Sequence, residues 1–398
     1  MANKKKPKKT VPESAKPKSA DAAIRAFEGL LAAPAYTDPA ASFQATQAAL
    51  ELPTVETPVT QEQWERIYEV IKSIRLLEPW KYFHESERIA LLLPGRDEPV
   101  YIVVMGSGDM TYGIGIYPGY DSLQRLYKME DNPIEDDMSV AFEQHCIILY
   151  YGDREELESK DRAVIKDLGL KFRGRNEWPY LRSMKPGYLS WYINSDEAEL
   201  VIAALQNFAM AALFYVKQQL KVDFRGGETL LRFYDEDSKM WCNAAIKMPP
   251  EPFMALKLAV DNDELVSRLN KQKKTKAKLA FGLTYIPAPI QESKNQRPKL
   301  PRLAVLLDIS KGKVKPIAHA LNDGSEFIGK TITTLLTEYI EKNGRPLSVS
   351  VNDEDNGLLL ADLLEKLDIK LIEDENLSVM SNIIMHILDA VGGSAFLG

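Results

Sequence analysis

Apolar residues recur along this chain with two periods, and the switches between them mark its elements. From Thr60 they come every three or four positions, at Trp64, Ile67, Ile71 and Ile74, which predicts a helix ending before Pro79. Asp21–Ala33 repeats that spacing with Ile24, Phe27, Leu30 and Leu31, and a Pro- and Ala-rich connector follows to Pro58. After Pro79 the rhythm shortens. Ile89–Leu93, Val100–Met105 and Gly113–Tyr117 are strand-like and end at Pro94-Gly95, Gly106-Ser107-Gly108 and Pro118-Gly119. Turns this short predict an antiparallel meander, with Gly106 and Gly108 serving a hairpin and not a phosphate cradle. Asp121 opens a helix containing Leu123, Leu126 and Met129; His145–Tyr151 is a strand, and Asp153–Gly169 a helix closed by its glycine. The segment from Ser195 to Lys217 is apolar on more than one face, which predicts a central, buried helix.

From Thr229 strands dominate: Leu230–Tyr234, Met240–Lys247, Met254–Val260 and Lys278–Tyr285, with a helix Asp261–Lys271 before the last. The end of the chain has the order ββαβαβα: Leu303–Ile309, Val314–Leu321, Ile328–Asn343, Leu347–Val351, Asn356–Leu367, Ile369–Glu373 and Leu377–Val391. Helical connections make its later strands parallel. The expected organisation is a disordered basic tail over 1–20, an α+β domain over 21–222, a β-rich middle segment over 223–297 and an α/β domain over 298–398.

Composition adds limits to this picture. Hydrophobic content of 45% and charged content of 27% over 398 residues are those of a globular chain of two or three domains. Residues 1–20 carry seven lysines and one glutamate, a net +6, so the rest holds −13 of the overall −7. Such an acidic body offers nucleic acid no broad electrostatic surface. Two cysteines cannot form a disulfide framework, which points to a reducing, cytoplasmic setting. The longest apolar run, Leu200–Val216, is interrupted by Gln206 and Asn207, so no membrane span is expected.

Candidate chemistry concentrates in Lys171–Trp191, KFRGRNEWPYLRSMKPGYLSW. Gly174, Pro179, Pro186 and Gly187 exclude a regular helix there and predict loop or short extended pieces. Guanidinium forks suit carboxylates and phosphates, and flat rings suit stacking. Arg173, Arg175, Arg182, Trp178, Tyr180 and Trp191 are therefore the candidate site for an anionic ligand or a partner protein. The competing reading is an ordered loop pinned by internal Arg–carboxylate bonds and buried rings.

Three blocks carry a resemblance: Val104–Tyr120 (Met-Gly, Tyr-Gly, Tyr-x-Gly), Lys171–Trp191 with Glu197–Asn207, and Pro287 through Arg297-Pro298 and Leu303–Asp308 to Pro346–Asp353. They resemble a family of uncharacterised bacterial proteins known only as domains of unknown function. The resemblance implies the same domain layout and a bacterial, intracellular setting, and no activity.

Two enzymatic alternatives remain. Gly324–Thr331 matches G-x-x-x-x-G-K-[ST], in which Gly324 and Gly329 would cradle phosphates, Lys330 reach them and Thr331 ligate Mg²⁺. Ser325, Glu326, Phe327 and Ile328 put bulk and a negative charge where phosphates must approach. Alternatively Asp308 and Asp353, with Asp389 or Glu373 as a third acid, would hold two Mg²⁺ as ribonuclease-H-like nucleases do, although 298–398 lacks the third hairpin strand of that fold. Histidines 84, 145, 319 and 386 form no ligand pair, and no metal or cofactor is expected. No catalytic constellation assembles from the sequence, so the expectation leans to a binding or regulatory protein.

Overall fold

A computed structural model describes residues 56–108, 111–131, 139–248, 260–286, 289–291, 293–310, 315–322, 328–352 and 354–374. The basic tail, the helix expected over Asp21–Ala33, most of the strand expected over Met254–Val260 and the helix expected over Leu377–Val391 lie outside them.

The first sheet contains β1 (Arg88–Leu92), β2 (Val100–Met105), β3 (Tyr112–Pro118), β4 (Cys146–Gly152), β5 (Trp178–Met184), β6 (Glu228–Asp235) and β7 (Met240–Lys247). Its spatial order is β5-β4-β3-β2-β1-β6-β7. Every neighbouring pair is antiparallel except β1 with β6, where Ile89 pairs with Leu230 and Leu92 with Phe233 in parallel. The helices of this part are α1 (Gln61–Leu77), α2 (Gly119–Asp131), α3 (Ser139–Phe142), α4 (Ser159–Asp167) and α5 (Ser195–Val216).

Alternation of side chains gives the sheet two apolar faces, each with its own core. On one face Ile89, Leu91, Ile102, Val104, Ile114 and Leu149 meet Ile67, Ile71 and Ile74 of α1 and Val201, Ile202, Leu205 and Phe208 of α5. On the other Tyr101, Val103, Tyr117, Ile148 and Phe233 meet Leu123 and Leu126 of α2. Helix α1 begins as expected at Thr60, whose hydroxyl accepts from the Gln63 amide while Gln63 returns a bond to the Thr60 N–H. Gln63 also donates to Ser195 O at 3.0 Å and Glu199 Oε1 at 2.9 Å, fixing the start of α1 against that of α5. Helix α5 is long and apolar enough to cross a membrane by length and composition, yet eight of its side chains are buried in the fold.

The second sheet contains β8 (Lys278–Tyr285), β9 (Arg302–Asp308), β10 (Lys315–Asn322), β11 (Ser348–Val351) and β12 (Lys370–Glu373), with α6 (Asp263–Asn270), α7 (Ile328–Asn343) and α8 (Glu354–Lys366). Its order is β10-β9-β8-β11-β12. The first three strands are antiparallel hairpin partners, and β11 and β12 run parallel to β8. Numbered within this sheet the order is 3-2-1-4-5. Leu336 and Ile340 of α7 and Leu360 and Leu364 of α8 pack on Phe281, Leu306 and Val349.

The strands of 223–297 are shared between the two sheets: β6 and β7 complete the first, and β8 is the central strand of the second. The third hairpin strand that 298–398 lacks is therefore β8. Periodicity finds strands but not their partners, and the connector between Tyr285 and Arg302 hides this pairing.

Candidate functional site

The Arg/aromatic segment is more regular than its glycines and prolines suggest. Trp178–Met184 is the edge strand β5, in register with β4 from Gly152↔Trp178 to Cys146↔Met184. Pro179 is tolerated because an edge strand has one unpaired side. The chain then turns through Gly187 (φ 79°) and doubles back, so that Ser183 and Trp191 exchange backbone bonds of 2.8 and 2.9 Å.

Three of the six candidates serve this architecture. Arg182 is buried and donates to Asp161 (2.7 and 3.0 Å) and Glu158 (3.2 Å) of α4 and the turn before it. Burial alone would lower its pKa, and the hydrogen-bonded Asp161 carboxylate reverses that. Tyr180 stacks on Tyr150 with centroids 5.1 Å apart, lies 4.9 Å under the Arg182 guanidinium and donates to Glu156. Trp191 packs edge-on against Tyr192 at 5.2 Å, with Lys160 over its ring. The Arg182 charge and the Tyr180 and Trp191 rings thus have partners within the fold. Lys185 is likewise held by Glu197 at 3.0 Å and Glu56 at 3.5 Å.

The remaining arginines point outward. Arg173 is exposed and has no ion pair among the described residues, and the Arg175 side chain is 91% exposed, with Asp153 Oδ2 3.6 Å from its Nε. Arg175 and Asn176 form one wall of a cleft of about 320 Å³, which Arg75, Glu78, Trp80, Lys81, Gly106, Ser107 and Tyr112 complete. Trp178 is half-buried against Phe172 at 5.9 Å, with Arg154 over its ring.

Local conformation brings these side chains together. Asn176 (φ 56°) and Glu78 (φ 48°) are left-handed, and Glu78 is the C-cap of α1. Gly106 has φ 119°, and a Cβ there would lie 2.6 Å from the Tyr112 ring. Only glycine lets the β2–β3 turn close over Trp80 and Tyr112, whose rings are 5.0 Å apart. Arg75 lies 5.2 Å from the Trp80 centroid and donates through Nε to Glu177 at 3.0 Å; that hydrogen bond leads the rise in its pKa, partly offset by burial. Lys81 pairs with Glu78. The inner cations are thus neutralised, whereas the Arg175 fork, the Asn176 amide and the Ser107 hydroxyl keep donors for a guest. Arg75, Trp80, Lys81 and Tyr112 were not among the sequence candidates; a Trp after a helix-ending Pro and a Tyr beside a glycine turn gave the signal.

Two family models match in tandem. Residues 64–232 match a domain of unknown function, DUF7309, and residues 265–388 match another, DUF6930. Each match is to a family of unknown function, and each covers less than half of the chain. Comparison with curated proteins finds no match. Among solved structures, a chain in the cryo-EM structure of a simian T-cell lymphotropic virus intasome in complex with PP2A regulatory subunit B56 gamma is 14% identical, with a TM-score of 0.21. The match covers 33% of this chain and 47% of that one, so the two share about half the length of the viral complex's chain, and so low a score carries no argument. The cleft lies wholly within the DUF7309 region.

The acidic and phosphate-loop candidates both fall in the DUF6930 region. Asp308 ends β9 with its Oδ1 accepting from the Ser310 N–H at 2.8 Å, a turn-closing role. It is in register with Leu279, and through it with Val349, near the end of the sheet where β11 begins. Asp353, outside the described residues, follows Val351, where β11 finishes. Strand β8, KLAFGLTY, has no carboxylate to contribute, and no group of three potential metal ligands occurs among the described residues. Gly324 also lies outside them; Gly329, Lys330 and Thr331 are in the first turn of α7. The strand before that turn, β10, is an antiparallel edge strand, unlike the parallel strand that feeds a phosphate loop.

Proposed function

We propose that this chain is a non-enzymatic binding protein whose DUF7309 region takes an oxyanion, carboxylate or phosphate, carried on a flat apolar body. The observation that carries the reading is Arg175: a side chain 91% exposed at a cleft that Trp80 and Tyr112 also line, beside Asn176, whose backbone N–H is held by Asp153 while its side-chain amide makes no hydrogen bond among the described residues. The half-buried Tyr112 ring supplies apolar area and the fork supplies charge-assisted hydrogen bonds. The reading also places the protein in the bacterial cytoplasm, supported by Cys146 and Cys242, both free.

Titration with phenyl phosphate, followed by saturation-transfer NMR and calorimetry, tests it. Arg175→Glu is expected to weaken binding at least tenfold, the loss of a charged hydrogen bond of about 1.5–3 kcal/mol, while leaving the melting temperature in place. Arg182→Glu is expected to lower the melting temperature sharply, because it sets a third carboxylate against Asp161 and Glu158. Equal binding by wild type and Arg175→Glu, or unfolding of that variant, removes the site.

A further inference from the structure

Four arginines are buried among the described residues: Arg88, Arg182, Arg232 and Arg297. Three of them face carboxylates. Glu130 serves Arg88, Asp161 and Glu158 serve Arg182, and Glu56 and Glu197 lie 3.5 and 3.9 Å from Arg297. Arg232, 6% exposed, has no carboxylate partner among the described residues.

Its surroundings are built from neutral groups. Nε donates to Asn207 Oδ1 on α5 at 2.9 Å, and Nη1 donates to Asn243 Oδ1 on β7 at 3.2 Å. Asn207 is itself fixed by a 2.9 Å bond from its Nδ2 to Ala203 O. The Trp241 ring lies against the guanidinium, 4.9 Å from centroid to Cζ. Nη2 makes no hydrogen bond among the described residues, and unlike Nε of Arg88 and Arg297 it is not fully buried. Burial, the leading influence, depresses the Arg232 pKa.

A guanidinium taken out of water without a counter-ion costs several kcal/mol, and an apolar residue of similar volume would avoid that cost. The two asparagines hold it through Nε and Nη1 and leave Nη2 without a hydrogen bond among the described residues. On the same side, Met210 lies one helical turn beyond Asn207 and is 54% exposed, and the Trp241 ring shares the sheet face of Arg232.

We propose that Arg232 is the receiving group of a second ligand site, one that takes a carboxylate borne on a short apolar chain. The carboxylate completes the guanidinium edge, and the chain lies along the methionine and indole surface between α5 and the edge strand β7. The site is separate from the Arg175 cleft and does not rest on it.

The test is calorimetric and thermal titration with hexanoate in the Arg175→Glu background, so that the cleft does not contribute; if that variant does not fold, wild type is the parent. The parent is expected to bind hexanoate saturably and to melt higher in its presence. Arg232→Met is expected to bind at least tenfold more weakly, and without ligand to melt no lower than its parent, because it removes an unpaired charge. Arg232→Lys, which keeps the charge but loses the fork, is expected to fall between them. Absence of saturable hexanoate binding, or equal binding by Arg232→Met, overturns the proposal. So does a drop in the ligand-free melting temperature of Arg232→Met as large as that of Arg182→Met, which would make Arg232 an internal strut. Acetate at the same ionic strength is expected to do nothing; stabilisation equal to that by hexanoate overturns the apolar part of the assignment.

Discussion

Glu143 shows how much one carboxylate can organise. It accepts from Arg125 Nη1 at 2.6 Å, from Arg302 Nη2 at 2.8 Å and from the Tyr285 hydroxyl, while Arg125 also bonds Asp121 at 2.8 Å. Arg302 and Tyr285 belong to β9 and β8, so this side chain links the second sheet to the segment between α3 and β4 of the first. Burial would raise its pKa, but Arg302 and then Arg125 outweigh burial and bring it from 4.5 to about 2. A depressed carboxylate stabilises the fold above its unfolded value, and that contribution disappears as pH falls from about 4.5 to about 2. Glu143→Gln is therefore expected to cost about 3 kcal/mol at pH 7, since it leaves two guanidinium groups short of a partner. The gap between variant and wild type in urea denaturation should shrink as pH drops through that window. A gap independent of pH would mean that shape, and not charge, is what Glu143 provides.

Among elements, the closure of α7 depends on one glycine. Gly344 caps the helix, its N–H bonded to Ile340 O at 2.8 Å, and has φ 92°. A Cβ there would sit 2.4 Å from Lys273 O. The absence of a side chain lets the stretch before β8 lie along the stretch before β11, through Arg345 N to Lys273 O (2.9 Å) and Thr275 N to Arg345 O (2.8 Å). Gly344→Ala should cost about 2–3 kcal/mol, because backbone must move as well as φ. Gly169→Ala is the control, expected to cost about 1 kcal/mol, since its Cβ would meet nothing within 4 Å although φ is 65°. Equal losses in chemical denaturation would discount the close approach.

Elements were the most legible scale in the sequence. The Thr60 cap, the meander turns and the span of α5 all follow from local chemistry, and the structure moves the α5 cap by one residue, to Asn194. Partners were less legible. Arg182 and Arg175 look alike in the sequence because what distinguishes them, the acids of α4, arrives from a separate element. Arg232 had a signal that went unused: two residues from Leu230 on a strand, it shares that residue's buried face. The cleft was half legible, through Arg175 and the Gly106 turn, whereas its floor comes from the chain following α1.

At the scale of the whole molecule, the parallel pairing of β1 with β6 sets the order in which the first sheet can form. Strands β1 to β5 are linked neighbour to neighbour, but β1 finds its second partner only after the chain has passed through β5 and along α5. A fragment ending near residue 222, the boundary suggested by the change of sequence pattern, would leave Arg88–Leu92 with one side unpaired and nearly all its side chains apolar. Such a fragment (residues 56–222) should elute as oligomers by light scattering, while residues 56–248, which include β6 and β7, should be monomeric. A monomeric shorter fragment would show that β1 needs no cover. During synthesis on the ribosome the same geometry leaves a sticky central seam open until more than a hundred further residues have emerged, and that interval is where a chaperone would find this chain.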